Sequence, residues 1–163
     1  MVDAVLYRLA EKLSLALVAR DLMLATAESC TGGWIAETIT RVPGSSQWFE
    51  RGFVAYTFIS KREMLGVNPK TLSMYGAVSD QTACEMALGA LENSHAQVAI
   101  AVSGIAGPDG GTPSKPVGTV CFAWALKGAQ LVSETKFFTG DRHAIRRKAV
   151  NRALHVALTL LDA

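Results

Sequence analysis

Apolar residues recur every three or four positions near the start of the chain. Leu6, Leu9, Leu13 and Leu17 mark one side of a helix over residues 3 to 20, and Arg8, Glu11, Lys12 and Arg20 take other faces. The pattern then shortens. Residues 22 to 27 read as a strand, 31 to 41 as a helix closed by the Pro43-Gly44 turn, and 45 to 50 as one serine-capped helical turn. Phe53, Val54 and Tyr56 mark a strand over 52 to 57, followed by a short helix over 60 to 65. Asn68-Pro69 signals another helix start, where proline's missing N–H costs nothing. Ser79 is placed to cap a helix over 80 to 92 with Ala83, Met86, Ala87 and Ala90 on its apolar face.

The last third alternates differently. Residues 97 to 103, 117 to 126 and 131 to 138 read as strands, and the Lys127-Gly128-Ala129 turn pairs the last two as a hairpin. A long helix over 141 to 161 carries a buried stripe of Ile145, Ala149, Ala153, Ala157 and Leu160. Helices precede, interrupt and follow the strands, which predicts an α/β sandwich built from residues 1–163 as one domain.

Composition narrows the classes. Half of the 163 residues are hydrophobic and 18% are charged, which excludes a disordered chain. A formal charge of +2 argues for neither nucleic acid nor an anionic membrane, and neither partner is expected. No apolar run reaches the roughly 18 residues of a membrane span, and the charges at Asp3, Arg8, Glu11 and Lys12 do not suit a secretory signal. Cys30, Cys84 and Cys121 are odd in number and lack metal-ligand spacing, so a reduced cytoplasmic protein without a metal or other cofactor is expected.

Four segments carry candidate chemistry. Ala27-Glu28-Ser29-Cys30-Thr31-Gly32-Gly33-Trp34 reads as strand end, hydroxyl-rich turn and helix start. Such a corner offers free N–H groups and a positive dipole end, and glycines let the backbone approach a ligand. Ser29 and Thr31 either contact substrate or cap the helix. Ser103-Gly104-Ile105-Ala106-Gly107-Pro108-Asp109-Gly110-Gly111 is either a wide hairpin or a backbone nest for an anion. It has neither the Walker lysine nor the dinucleotide-binding glycine spacing.

The third segment runs from Gly44-Ser45-Ser46-Gln47-Trp48-Phe49 to Tyr56 and Lys61. Serine and lysine can serve as nucleophile and base, provided the lysine's ordinary pKa of about 10.4 is brought down toward neutrality. Trp48, Phe49, Phe53 and Phe58 offer apolar surroundings, and a tyrosine hydroxyl offers a proton relay. The plain alternative has Ser46 capping a turn and Lys61 in water. In the fourth segment, Asp141-Arg142-His143-Ala144-Ile145-Arg146-Arg147-Lys148, cations crowd a helix start that disfavours them. Arg142 and Arg146 lie one turn apart and could share a face; an anionic ligand or a solvated face accounts for Arg142 equally, and Arg147 and Lys148 suit a solvated face. His95, His143 and His155 have no ligand spacing, Cys30 suits packing better than nucleophilic attack, and Asp109 suits a turn.

Taken together, TAESCTGGW, PGSSQWFERGFVAY with Lys61, GAVS at 76–79 and VSGIAGPDGGTPSKPVGTV closely resemble the CinA C-terminal-domain family over residues 6 to 158. Stand-alone members of that family are nicotinamide-nucleotide amidases. The resemblance implies a three-layer α/β/α sandwich with a mixed sheet. It also implies hydrolysis of the carboxamide of a small-molecule substrate, nicotinamide mononucleotide, to nicotinate mononucleotide and ammonia, in NAD recycling. By the resemblance, Ser46 is the nucleophile, Lys61 the base and Tyr56 a helper, with Ser29 a second well-placed serine. Ser29, Thr31, Gly32 and Gly33 line one side of the substrate, Ser103, Gly104, Ala106 and Gly107 the other, and Arg142 meets the phosphate or carboxamide region. The oligomeric state is left open, homo-oligomers included. One position departs from the family: after the tyrosine, a small hydroxyl residue and asparagine are usual, whereas here Thr57 is followed by Phe58. A catalytically inactive or substrate-altered paralogue, acting as a nucleotide-binding or interaction protein, is therefore the alternative.

Overall fold

The computed structural model describes residues 1–162. Helix α1 (Ala4–Ala19) leads into β1 (Leu24–Glu28), α2 (Trp34–Thr40), one 3₁₀ turn (Ser45–Gln47) and β2 (Phe49–Val54). Helices α3 (Phe58–Leu65), α4 (Pro69–Tyr75) and α5 (Asp80–Glu92) follow, then β3 (Val98–Gly104), β4 (Thr119–Leu126), β5 (Gln130–Phe137) and α6 (Arg142–Asp162). The five strands form one sheet in the order β2-β1-β3-β4-β5. β1 runs parallel to β2 and β3, β4 is antiparallel to β3, and β5 is antiparallel to β4, so the sheet is mixed.

Alternation along the strands sorts residues by size as well as polarity. One face presents Leu24, Val98, Ile100, Val102, Val120, Phe122 and Trp124, buried against α1, α2 and α6. The opposite face presents Ala25, Ala27, Ala99, Ala101, Ala123 and Ala125, buried against α3, α4 and α5. Small side chains let α5 and its neighbours approach closely. At Gly89 of α5, an added Cβ would lie 1.9 Å from the Leu65 carbonyl oxygen of α3. The result is three layers, helices–sheet–helices.

Local signals set most boundaries. Asp3 caps α1 through Val5 and Leu6 N–H, Asn68 caps α4 with Pro69 next, and Ser79 caps α5 through Thr82 N–H. The strand expected at 52 to 57 lies earlier, at Phe49–Val54. Phe49 pairs with Leu24 and Val54 with Glu28. Residues past Val54 are needed to turn into α3, where Thr57 and Ser60 form a reciprocal capping box. Trp48 belongs to the core, and the stripe of α6 ends on buried Leu161 with Leu160 half-buried. No helix among the described residues is long and apolar enough to cross a membrane.

Candidate active site

In open α/β sheets, ligand crevices form at the carboxyl ends of the strands. Here the ends of β1, β2 and β3 bring together Ser29, Ala55 and Ser103. Lys61, in the first turn of α3, reaches into this end of the sheet and is fully buried. Its Nζ lies 2.9 Å from Ser29 Oγ, 3.0 Å from the Ala55 carbonyl oxygen and 2.9 Å from the Tyr56 carbonyl oxygen. Among the described residues it forms no ion pair. Burial without a counter-charge disfavours the ammonium and brings the Lys61 pKa down to about 8.

The partner set serves both protonation states: the ammonium donates to both carbonyls and to Ser29 Oγ. A neutral amine has two N–H donors and one lone pair. The two carbonyls can only accept, so they take the two N–H groups and leave the lone pair facing the Ser29 hydroxyl. An amine lone pair so placed is able to take a proton from a hydroxyl.

Ser46 is not part of this constellation. Leu24 N–H donates to the Trp48 carbonyl at the amino ends of β1 and β2, and Ser46 lies just before Trp48. Ser29 lies past the carboxyl end of β1, so the length of a five-residue strand, about 16 Å, separates the two serines. The expected Ser46–Lys61 pair is corrected on this ground: the parallel pairing of β1 and β2 puts Ser46 and Lys61 at opposite ends of the sheet. Ser46 is exposed on the 3₁₀ turn.

Tyr56 meets Lys61 through its main-chain carbonyl rather than its hydroxyl. The residue is 57% exposed, and Arg142 donates to its hydroxyl at 3.2 Å. Arg142 also donates to the Gly107 carbonyl at 2.8 Å, tying the start of α6 to the loop after β3. Phe58, the first residue of α3, is 50% exposed and is not among the partners of Lys61.

The corner after β1 is built on Glu28, a residue the sequence reading quoted without a role. Its buried carboxylate accepts from the Thr31 hydroxyl at 2.6 Å and from Ile35 and Ala36 N–H at 2.9 and 3.0 Å. It thus caps α2 from inside, while burial raises its pKa against those hydrogen bonds. The Thr31 hydroxyl is spent on this cap, which leaves its main-chain N–H as the group it can offer to a ligand. Gly32 and Gly33 take φ of +60° and +97°, which carries the chain from strand to helix in the five residues between Glu28 and Trp34. Ser29 N–H is fixed by the Val102 carbonyl and Gly32 N–H by the Ser29 carbonyl. The N–H groups of Cys30 and Thr31 meet no protein acceptor among the described residues. Cys30 is buried, and desolvation with Glu28 nearby pushes its thiol up to about 12, so it stays protonated.

The second loop closes against this corner. An added Cβ at Gly104 would lie 3.0 Å from Cys30 Sγ, so glycine is what admits the cysteine there. Ser103 is buried and donates to the Ala77 carbonyl at 2.7 Å, holding the GAVS segment rather than facing outward. Ala106 is buried, and Gly107 offers its carbonyl to Arg142. The basic segment divides: Arg147 pairs with Asp3, Lys148 donates to the Thr139 carbonyl, and neither stands free as a solvated face would require. Among the described residues no group of His, Cys, Asp and Glu is placed to hold a metal ion.

A buried lysine amine on a serine hydroxyl, beside a glycine corner at the strand ends of a three-layer sandwich, is an arrangement able to support hydrolysis. The chain belongs to the CinA C-terminal domain family, matching its description over residues 6–161. It is 51% identical over 154 residues to the nicotinamide-nucleotide amidohydrolase PncC of Escherichia coli (strain K12), covering 94% of this chain and 93% of that one. The protein of that name from Pseudomonas putida is 53% identical over 137 residues, covering 84% and 85%. The crystal structure of the competence/damage inducible protein CihA from Agrobacterium tumefaciens superposes with a TM-score of 0.95 at 43% identity, covering 100% and 99%. A CinA superfamily protein from Klebsiella pneumoniae superposes with a TM-score of 0.93 at 38% identity, covering 96% and 98%.

Proposed function

We propose that this chain is a nicotinamide-nucleotide amidohydrolase that uses Ser29 as nucleophile and Lys61 as base. The observation that carries the mechanism is the buried Lys61 Nζ, 2.9 Å from Ser29 Oγ with two main-chain carbonyls taking its remaining directions. The relatives named as amidohydrolases supply the substrate class.

Ser29 Oγ attacks the carboxamide carbon of nicotinamide mononucleotide as its proton passes to Lys61 Nζ. The carbonyl oxygen becomes an oxyanion, for which the free N–H groups of Cys30 and Thr31 are the donors at hand. Collapse expels the amine, which takes the proton from Lys61 and leaves as ammonia. Water then enters, loses a proton to Lys61 and attacks the ester on Ser29. The second collapse returns the proton to Ser29 Oγ and releases nicotinate mononucleotide. Arg142, held by Gly107 and Tyr56 at the rim, suits the phosphate.

The test is ammonia release from nicotinamide mononucleotide by the purified chain and three variants. Ser29→Ala and Lys61→Met should each cut turnover roughly 10³-fold or more. Ser46→Ala should leave it intact. Turnover that survives Ser29→Ala, or is lost with Ser46→Ala in a folded protein, overturns the assignment.

A further inference from the structure

Arg146 is gathered into the corner by a route the reaction steps above do not use. Its Nε donates to the Cys30 carbonyl at 3.0 Å and its Nη2 to the Thr31 carbonyl at 3.1 Å. The guanidinium lies 5.4 Å from the centre of the Trp34 ring, and Trp34 packs in turn on His143 with ring centres 5.2 Å apart. Arg146 approaches from α6, which packs on the face of the sheet carrying Leu24 and Ile100. Lys61 approaches from α3, whose Leu65 packs on the opposite, alanine-rich face. The guanidinium and the serine–lysine pair therefore grip the turn from opposite sides.

A trans peptide points its N–H away from its C=O. The carbonyl of Cys30 shares a peptide plane with the N–H of Thr31, and that N–H meets no protein acceptor among the described residues. Holding the carbonyl from the α6 side aims the N–H toward the side of the turn where Ser29 Oγ lies. Among the described residues no backbone N–H donates to the Cys30 carbonyl, so the hold on this plane comes from Arg146 Nε. Glu28 holds the Thr31 side chain through its hydroxyl but does not fix the Cys30–Thr31 plane.

We infer that Arg146 is a positioning residue: by gripping the Cys30 and Thr31 carbonyls from α6, it keeps the Thr31 N–H aimed at the oxyanion that forms on the Ser29 side. The inference rests on the amidase reading for its chemistry. Preorganised donors of this kind act only on developing charge, so their loss falls on kcat. The competing role is substrate binding, since Arg146 also lines a recess of about 380 Å³ with Gly32, Gly33, Trp34 and His143. Loss of that role would fall on KM.

The experiment uses the full chain with Arg146→Met and Arg146→Lys. Deamidation of nicotinamide mononucleotide gives kcat and KM, and the Thr31 amide ¹H–¹⁵N resonance reports the peptide plane. Arg146→Met should lower kcat roughly 100-fold with KM within about threefold, leave the pH midpoint unchanged and move the Thr31 resonance. Arg146→Lys, which can serve one carbonyl but not both in a fixed fork, should recover part of the rate. A loss carried by KM, an undiminished kcat, or an unmoved Thr31 resonance overturns the inference. Should the methionine variant unfold, the lysine variant and its amide resonance decide. A wild-type chain that releases no ammonia refutes the amidase reading instead, and the resonance alone then decides the role of Arg146.

Discussion

Turnover should rise with pH and level off above a midpoint near 8. Lys61 must be neutral to accept the serine proton, and burial without a counter-charge lowers its pKa from the ordinary 10.5 to about 8. At pH 7 an amine titrating near 8 is about 10% neutral, against about 0.03% for one titrating at 10.5. Burial therefore raises the active fraction about 300-fold at neutral pH. The assay is initial-rate ammonia release at low substrate, which gives kcat/KM and reports groups of the free enzyme. The rate should climb about tenfold per pH unit below the midpoint and flatten above it. The substrate phosphate titrates near 6, so the range above about pH 7 isolates the enzyme group. Glu28 is a second buried group nearby with a raised pKa, besides Cys30, whose thiol stays protonated over this range. Glu28→Gln keeps an acceptor for the α2 cap and should leave the midpoint in place. A midpoint near the ordinary lysine value, or a flat profile from about pH 6 to about pH 9, would refute the neutral-amine reasoning.

Gly89→Ala sets two effects against each other. Alanine favours a helix interior by about 1 kcal/mol, but its Cβ would meet the Leu65 carbonyl oxygen at 1.9 Å, so net destabilisation of about 1–3 kcal/mol is expected in chemical denaturation. A more stable variant would mean that α5 and α3 are not in such close contact. Asp3→Ala removes both the α1 cap and the partner of Arg147, and should cost about 1 kcal/mol from the cap. Because Arg147 holds the Asp3 carboxyl below its ordinary 3.8, this contribution is present above that pH and is lost as pH falls below it; an unchanged acid limb in the variant would count against it. Phe58→Asn, on an exposed helix start, should change stability by no more than about 0.5 kcal/mol and leave ammonia release in place. A large gain in turnover would revive the substrate-altered alternative.

Element order was legible in the chain because its signals are local. The leucine spacing of residues 6 to 17, Asn68-Pro69, Ser79 and the Lys127–Ala129 turn each act within a few residues, and each marks an element of the structure. The large-versus-alanine alternation of β1, β3 and β4 needed only the period of two to sort the faces once the strands were paired. Which serine meets Lys61 was not legible. Ser29 and Ser46 both sit in hydroxyl-bearing glycine turns, and sequence separation favours Ser46 as the neighbour of Lys61. Only the parallel pairing of β1 with β2, a contact between distant residues, carries Ser46 to one end of the sheet and Ser29 to the other. The same holds for Arg146, whose carbonyl partners lie 116 and 115 residues away. Local propensity decided which elements form. The packing of α3 and α6 on opposite faces decided which side chains meet, because proximity between remote segments is set by the sheet and not by the chain.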